Sequence, residues 1–105
     1  MKRAKKYSIP LSSGNILDVK IEIGKGRIRG FVLNLRCLID DLWYQIYRVD
    51  TAHGYLHEQR FWISPEPVPL IQHTSLDYAF EFYMRQIRDS FERYRKYYTD
   101  KMNKR

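Results

Sequence analysis

The chain has 105 residues, of which 44% are hydrophobic and 30% are charged, and its 19 Lys and Arg residues against 12 Asp and Glu give a net charge of +7. This length excludes a second independent core, and the hydrophobic content excludes a chain that is disordered by composition. We therefore expect a single domain over residues 1–105. The positive charge favours a polyanionic partner, with RNA placed before DNA.

The single cysteine, Cys37, excludes an intramolecular disulfide and a cysteine-based zinc cluster. No apolar run reaches the roughly 18 residues that a membrane span needs. The basic start of the chain is followed by Tyr7-Ser8-Ile9-Pro10, which is not the apolar stretch of a signal peptide. These features predict a cytoplasmic protein that does not associate with a membrane.

The first two thirds of the chain carry the alternating pattern of β-strands. After a basic leader at 1–10 and a turn, apolar residues stand at every second position from Leu17 to Ile23 and again from Phe31 to Cys37. Two further strands are predicted at 43–50 and 55–63, where aromatic and β-branched residues are frequent, with a short loop between them. Residues 16–63 are thus predicted to form a four-stranded antiparallel meander.

A proline-rich connector at 64–74 is predicted to end the sheet, because proline cannot donate a ladder hydrogen bond. The next segment, 75–103, is predicted to be a helix capped by Thr74 or Ser75. Its apolar residues recur at intervals of three and four, at Leu76, Phe80, Tyr83, Ile87, Phe91, Tyr94 and Tyr98. The expected fold is α+β, with one long C-terminal amphipathic helix packed on one face of the sheet, and the covered face is left open.

Residues 47–61 hold the densest set of reactive side chains. If the last two predicted strands pair so that opposite residue numbers sum to 105, Arg48 faces His57 and Asp50 faces Tyr55, with His53 in the loop above them. Such a group suits RNA cleavage without a metal or another cofactor. His57 and His53 would act as general acid and base in either order, while Arg48 stabilises phosphate, Asp50 orients a ring and Tyr55 flanks the site. A structural pairing of the same side chains is the alternative, and their spacing matches no zinc pattern.

The helix carries a surplus of basic residues, which predicts contacts with a nucleic-acid backbone. The predicted contact residues are Arg85, Arg88, Arg93, Arg95, Lys96 and Lys101. A solvated helix surface is the alternative, and the interleaved Tyr94, Tyr97 and Tyr98 also suit a homodimer formed through this helix. Trp43 and Trp62 are predicted to oppose each other beside Tyr47, as core against the helix, with base stacking on an open sheet as the other interpretation.

The segment from Tyr47 to His57 resembles a group of small uncharacterised archaeal and bacterial proteins with an Arg-x-Asp-x-Ala-His segment and a further His. It is also distantly similar to TumE-type toxins of toxin–antitoxin pairs. The resemblance implies a small toxin-like RNA-acting protein with a protein antitoxin, and it puts Arg48, Asp50, His53 and His57 at matching positions. Residues 58–60 depart from the toxin pattern of adjacent histidines. Two hypotheses therefore stand: a ribonuclease, and a binding or assembly module without chemistry.

Overall fold

The computed structural model describes residues 2–71 and 75–104, apart from the side chains of Lys2 and His53. The chain is α+β, with an antiparallel sheet followed by one long helix. The strands are β1 (Lys2–Ser12), β2 (Asn15–Gly24), β3 (Arg27–Ile39), β4 (Leu42–Asp50), β5 (His57–Arg60) and β6 (Val68–Pro69), and the helix is α1 (Leu76–Asn103). Every strand pairs with the next one along the chain, so the predicted meander order is confirmed.

The predicted number of strands is wrong, because the sheet has six and not four. Residues 2–10 of the basic leader form most of β1, which pairs with β2 from Lys2 opposite Gly24 to Ser12 opposite Asn15. Most of its side chains are exposed on both faces, so the leader needs no apolar alternation, and lysines on an edge strand discourage pairing with other chains. The connector supplies β6, whose proline is tolerated because the strand lies at the other edge.

Two-residue turns join β2 to β3 and β3 to β4. Lys25 and Gly26 have φ of 53° and 73°, and Asp40 and Asp41 have φ of 51° and 66°. Positive φ at both central residues defines the type I′ turn, whose twist matches that of the flanking strands.

The face of the sheet that packs against α1, called the inner face here, carries the predicted apolar alternation. Ser75 caps α1, since its hydroxyl accepts a hydrogen bond from the backbone N–H of Tyr78 at 3.1 Å. The buried inner-face residues of β2 and β3 are Leu17, Val19, Ile21, Phe31, Leu33, Leu35 and Cys37, and those of α1 include Phe80, Tyr83, Ile87 and Tyr94. The apolar period of the helix therefore correctly predicts which of its residues face the sheet.

A bulge in β4 changes which side chains reach the inner face. Ile46 is an extra residue in the ladder, because Tyr47 pairs with Leu35 whereas Gln45 pairs with Arg36. An extra residue reverses the alternation of a strand. As a result Trp43, on the other side of the bulge from Tyr47, lies on the opposite face of the sheet.

The predicted pairing of the two tryptophans is therefore wrong. Trp43 is 45% exposed, and the guanidinium of Arg36 lies over its ring at 4.8 Å from the centroid. Trp62 lies in a turn after β5 and stacks on Tyr94 at 5.0 Å and on Tyr47 at 6.1 Å between ring centroids. Trp62 thus packs against the helix as predicted, while Trp43 stands on the side that α1 does not cover.

Candidate functional site

The β4–β5 register differs from the predicted one by two residues. Asp50 pairs with His57 and Arg48 pairs with Gln59, so the predicted pairs of Arg48 with His57 and of Asp50 with Tyr55 are wrong. The cause is the connection at 51–56, which contains a short 3₁₀ helix at Ala52–Gly54 and keeps two more residues out of the ladder than expected. A shift by two preserves the face, so Arg48, Asp50 and His57 still share one side of the sheet.

The carboxylate of Asp50 joins these residues. Its Oδ2 accepts a hydrogen bond from Nε of Arg48 at 2.6 Å, and its Oδ1 lies 2.8 Å from Nε2 of His57. The backbone N–H of Ala52 donates to the same Oδ1 at 2.9 Å. Asp50 is only 2% exposed and His57 only 4% exposed. A buried carboxylate requires such partners, so this cluster stabilises the fold locally.

Both ring nitrogens of His57 face hydrogen-bond acceptors. Nε2 lies against the Asp50 carboxylate, and Nδ1 lies 3.1 Å from the carbonyl oxygen of Tyr55. A ring nitrogen directed at an acceptor inside the protein is not directed at the hydroxyl of a substrate. The aromatic ring of Tyr55 lies 4.9 Å from the imidazole, between centroids, and is itself 41% exposed. This geometry favours a structural role for His57 over that of a general base.

His53 occupies the middle of the 3₁₀ helix, but its side chain lies outside the described part of the structure. Its predicted catalytic role therefore stays a prediction. Among the residues that the structure describes, no three His, Cys, Asp or Glu side chains form a group that could hold a metal ion.

The face opposite α1, called the outer face here, is lined by polar side chains bonded to one another. Ser8 donates to Asp18 at 2.6 Å, Nε of Arg36 donates to the same carboxylate at 2.8 Å, and Gln45 donates to Asn34. Partial burial acts to raise the pKa of Asp18, but the hydrogen bonds from Arg36 and Ser8 outweigh it and hold that pKa below its ordinary value. Asp18 therefore stays charged and is already neutralised by Arg36.

Two shallow depressions lie side by side on this face, and Arg48 lines both. The larger one, about 480 Å³, is lined by Lys6, Lys20 and Arg48 among others. The smaller one, about 350 Å³, is lined by Arg48, Asp50 and His57 among others. Within the described residues, neither lysine makes a hydrogen bond or an ion pair, so the larger depression holds positive charge that the fold does not neutralise.

Of the basic residues predicted to contact nucleic acid, Arg95 is bonded to the sheet. Its guanidinium donates to Oδ1 of Asn15 at 2.8 Å, to the carbonyl oxygen of Leu38 at 2.8 Å and to that of Gly14 at 3.3 Å. These acceptors lie at the end of the sheet where β1 turns into β2 and β3 approaches its end. Arg95 is thus an anchor between α1 and the sheet, because all its bonds go to the protein.

The other predicted helix residues are scattered on a surface of mixed charge. Lys96 pairs with Asp100 at 2.9 Å, Lys101 donates to the carbonyl oxygen of Phe61 at 3.1 Å, and Arg93 donates to Ser90 at 3.0 Å. Arg85 and Arg88 are exposed. The exposed acidic residues of α1 are Glu81, Asp89, Glu92 and Asp100. The basic surplus of the helix therefore does not form a continuous positive stripe.

The sequence pattern did not indicate a second buried polar group, which lies on the inner face of β4 and β5. The Tyr47 hydroxyl donates to Glu58 at 2.5 Å, and Nε of Arg60 lies 2.8 Å from the same carboxylate, although Glu58 is only 4% exposed. Burial, and then the adjacent Glu58, raise the pKa of the Tyr47 hydroxyl. The predicted register already places Glu58 on the same face as Tyr47, but a charged residue in a strand gives no signal that its side chain is buried beneath the helix.

The comparisons with known proteins give a family without a described activity. Comparison with curated proteins and with solved structures finds no match. None of the helical segments within 2–71 and 75–104 combines the length and the apolarity needed to cross a membrane. A family model described as a domain of unknown function, DUF7718, matches residues 1–104. The chain therefore belongs to the DUF7718 family.

Proposed function

We propose that this protein binds single-stranded RNA on the outer face of its sheet and does not cleave it. The observation that carries the proposal is the combination of Lys6, Lys20 and Arg48 in one depression with the exposed indole of Trp43 on the same face. Cations supply attraction to phosphate, and an exposed ring supplies a stacking surface for bases.

The charge of the outer face supports an anionic ligand. Asp18 already bonds to Arg36, and Asp50 already bonds to Arg48 and to His57. The carboxylates of these two clusters therefore do not neutralise the positive charge of the lysines in the larger depression. Release of counterions from RNA phosphates by such cations is a general source of binding free energy.

The shape and chemistry of this face favour a single strand over a duplex. The long helix α1 packs on the other face, and a broad strand surface does not enter a duplex groove as a lone helix or ribbon does. Trp43 offers a ring on which an unpaired base can stack, and Asn34 and Gln45 offer amides to base edges or to the ribose hydroxyl. RNA is our choice over DNA because the 2′-hydroxyl adds a partner for these amides.

The environment of His57 supports binding without cleavage. Both of its ring nitrogens face acceptors inside the protein, and its ring is almost fully buried. A general base must instead reach the hydroxyl it deprotonates. The likeness to TumE-type toxins, which implies cleavage, is tested by the same experiment as the binding proposal.

The test is fluorescence anisotropy with a labelled single-stranded RNA, alongside a duplex RNA and a single-stranded DNA of the same sequence at one salt concentration. Trp43→Ala is expected to weaken RNA binding by about 5-fold or more, because stacking on an aromatic ring contributes about 1–3 kcal/mol per base. Leu42→Ala is the matched control, since Leu42 is the preceding residue and is 60% exposed.

The proposal is overturned if the wild-type protein does not bind single-stranded RNA, or if Trp43→Ala and Leu42→Ala bind it equally well. Tighter binding of duplex RNA or of DNA would overturn the choice of ligand. RNA incubated with the protein and a chelator is expected to stay intact on a denaturing gel. Cleavage that His57→Gln abolishes, with the variant shown to be folded, would establish the ribonuclease instead.

A further inference from the structure

We infer that Lys6, Lys20 and Arg48 form a seat for one phosphate group of the ligand. The inference rests on the proposed function in that the phosphate belongs to RNA, either as an internal phosphodiester or as a terminal monoester. The three residues come from β1, β2 and β4 and line the same depression of about 480 Å³. The sequence pattern did not indicate that these three residues lie together.

The placement of the two lysines is unfavourable for the stability of the sheet. Lys6 and Lys20 are direct cross-strand partners, and like charges in that position destabilise a sheet. Val32, the next residue in the same row across the sheet, carries no charge. Asp18 and Glu22 flank Lys20 on this face of β2, yet within the described residues neither forms an ion pair with either lysine. An anion bound between the two ammonium groups would relieve their repulsion.

Arg48 completes the seat in a defined orientation. Its Nε donates to Asp50 at 2.6 Å, and its side chain is 34% exposed. Its two terminal nitrogens make no hydrogen bond to any residue that the structure describes. A guanidinium fixed through Nε keeps donors for phosphate oxygens, and arginine binds phosphate with a two-pronged geometry.

Two neutral side chains complete the lining. Ser8 and Asn34 are the cross-strand partners of Asp18, on β1 and β3 respectively. They belong to the row of side chains next to that of the lysines, and both line the depression. The amide of Asn34 keeps one N–H for an ester oxygen beside the phosphate, whereas Ser8 already donates its hydroxyl hydrogen to Asp18 and can only accept a hydrogen bond, for example from a ribose hydroxyl. Three cations with one neutral amide donor, beside a carboxylate that is already paired, suit a phosphate group and would repel a cationic ligand.

The closing experiment compares Lys6→Gln and Lys20→Gln with Lys5→Gln. Lys5 is the adjacent residue of β1, carries the same charge, and projects to the inner side, where it pairs with Ile21. Each seat variant is expected to weaken RNA binding about 3- to 10-fold and to reduce the dependence of log affinity on log salt by about 0.7, as loss of one phosphate contact to a single strand does. Lys5→Gln is expected to change affinity by less than about 2-fold, because Lys5 projects to the other side of the strand and contributes only to the long-range attraction of the net charge.

Inorganic phosphate serves as the second probe, titrated into ¹⁵N-labelled protein at constant ionic strength. Amide shifts are expected near residues 6, 20, 34 and 48 in the wild-type protein and in Lys5→Gln, and they are expected to be lost in Lys20→Gln. RNA carrying a 5′-phosphate is then compared with the same RNA carrying a 5′-hydroxyl. A gain of 5-fold or more with the 5′-phosphate assigns the seat to a terminal monoester, and equal affinities assign it to an internal phosphodiester.

The seat and the proposed function fail in different ways. If both seat variants behave like Lys5→Gln toward RNA and toward phosphate, the seat is overturned, even where Trp43→Ala still weakens RNA binding. If the wild-type protein shows local phosphate shifts but no RNA binding, RNA binding is overturned and the phosphate seat stands. If neither probe binds, both are overturned.

Discussion

Arg95 is predicted to contribute more to stability than any exposed basic residue of α1, and Arg95→Met tests this. The substitution keeps an apolar stem of similar length and removes the donors to Asn15, Leu38 and Gly14. The carbonyl oxygen of Gly14 keeps the backbone N–H of Leu38 as a donor, at 2.8 Å. The Leu38 carbonyl oxygen and Oδ1 of Asn15, a residue only 6% exposed, each lose a charged donor.

The expected loss follows from these two acceptors. A buried polar group left without its partner costs about 1–3 kcal/mol, and the two costs do not add fully, so we expect a loss of about 2–4 kcal/mol in the free energy of unfolding. For a domain of this size each kcal/mol lowers Tm by about 4–5 °C, which gives a fall of about 8–20 °C.

The assay is urea unfolding followed by circular dichroism and tryptophan fluorescence, with coincidence of the two probes as the check for two-state behaviour. Lys96→Met is the control, because Lys96 is the adjacent residue and forms an exposed pair with Asp100, side chains 71% and 51% exposed. Exposed helix pairs of this spacing contribute about 0.3–0.5 kcal/mol. If Arg95→Met and Lys96→Met destabilise the protein equally, Arg95 is not an anchor. If Arg95→Met instead leaves stability unchanged and weakens RNA binding, the original assignment of Arg95 to nucleic acid is restored.

Three further outcomes are expected. The pKa of Asp18 is lowered in the folded state, so its ion pair with Arg36 stabilises the protein above pH about 4 and is lost as pH falls further; unfolding at pH 7 and pH 3 should show a smaller pH dependence in Asp18→Asn than in wild type. Burial raises the pKa of Cys37 to about 11, so a thiol reagent at pH 8 should react with it only at the rate of unfolding, and fast labelling of native protein would contradict its burial. Tyr47→Phe removes the donor to the buried Glu58 and should cost about 1–3 kcal/mol by urea unfolding, whereas an unchanged stability would show that Arg60 alone satisfies that carboxylate.

Local pattern predicts those parts of the fold whose physics is local. The spacing of apolar residues places the helix at 75–103, against Leu76–Asn103 in the structure, because one face of a helix must be apolar to pack on a sheet. The alternation from Leu17 to Cys37 names the inner face for the same reason. The pattern does not predict strand β1 in the leader, because an edge strand with exposed side chains needs no apolar alternation.

The candidate site depends on distances along the chain that pattern does not determine. A four-residue loop and a six-residue connection between β4 and β5 are both compatible with residues 51–56, and the choice moves His57 from Arg48 to Asp50. The side chains still meet because the shift is even, and the carboxylate, not the arginine, becomes the centre of the cluster.

Local pattern is sufficient to predict an α+β chain with a meander, a long amphipathic helix, a positive charge and a polar group around Arg48. Only the three-dimensional contacts show that Arg95 bonds to the sheet, that Trp43 is exposed, and that Lys6 and Lys20 line the same depression as Arg48. The reason is physical. An amphipathic period is a local property, because each helix or strand must bury one of its faces. The bulge in β4, the β4–β5 register and the cluster of Lys6, Lys20 and Arg48 depend instead on contacts between strands across the sheet.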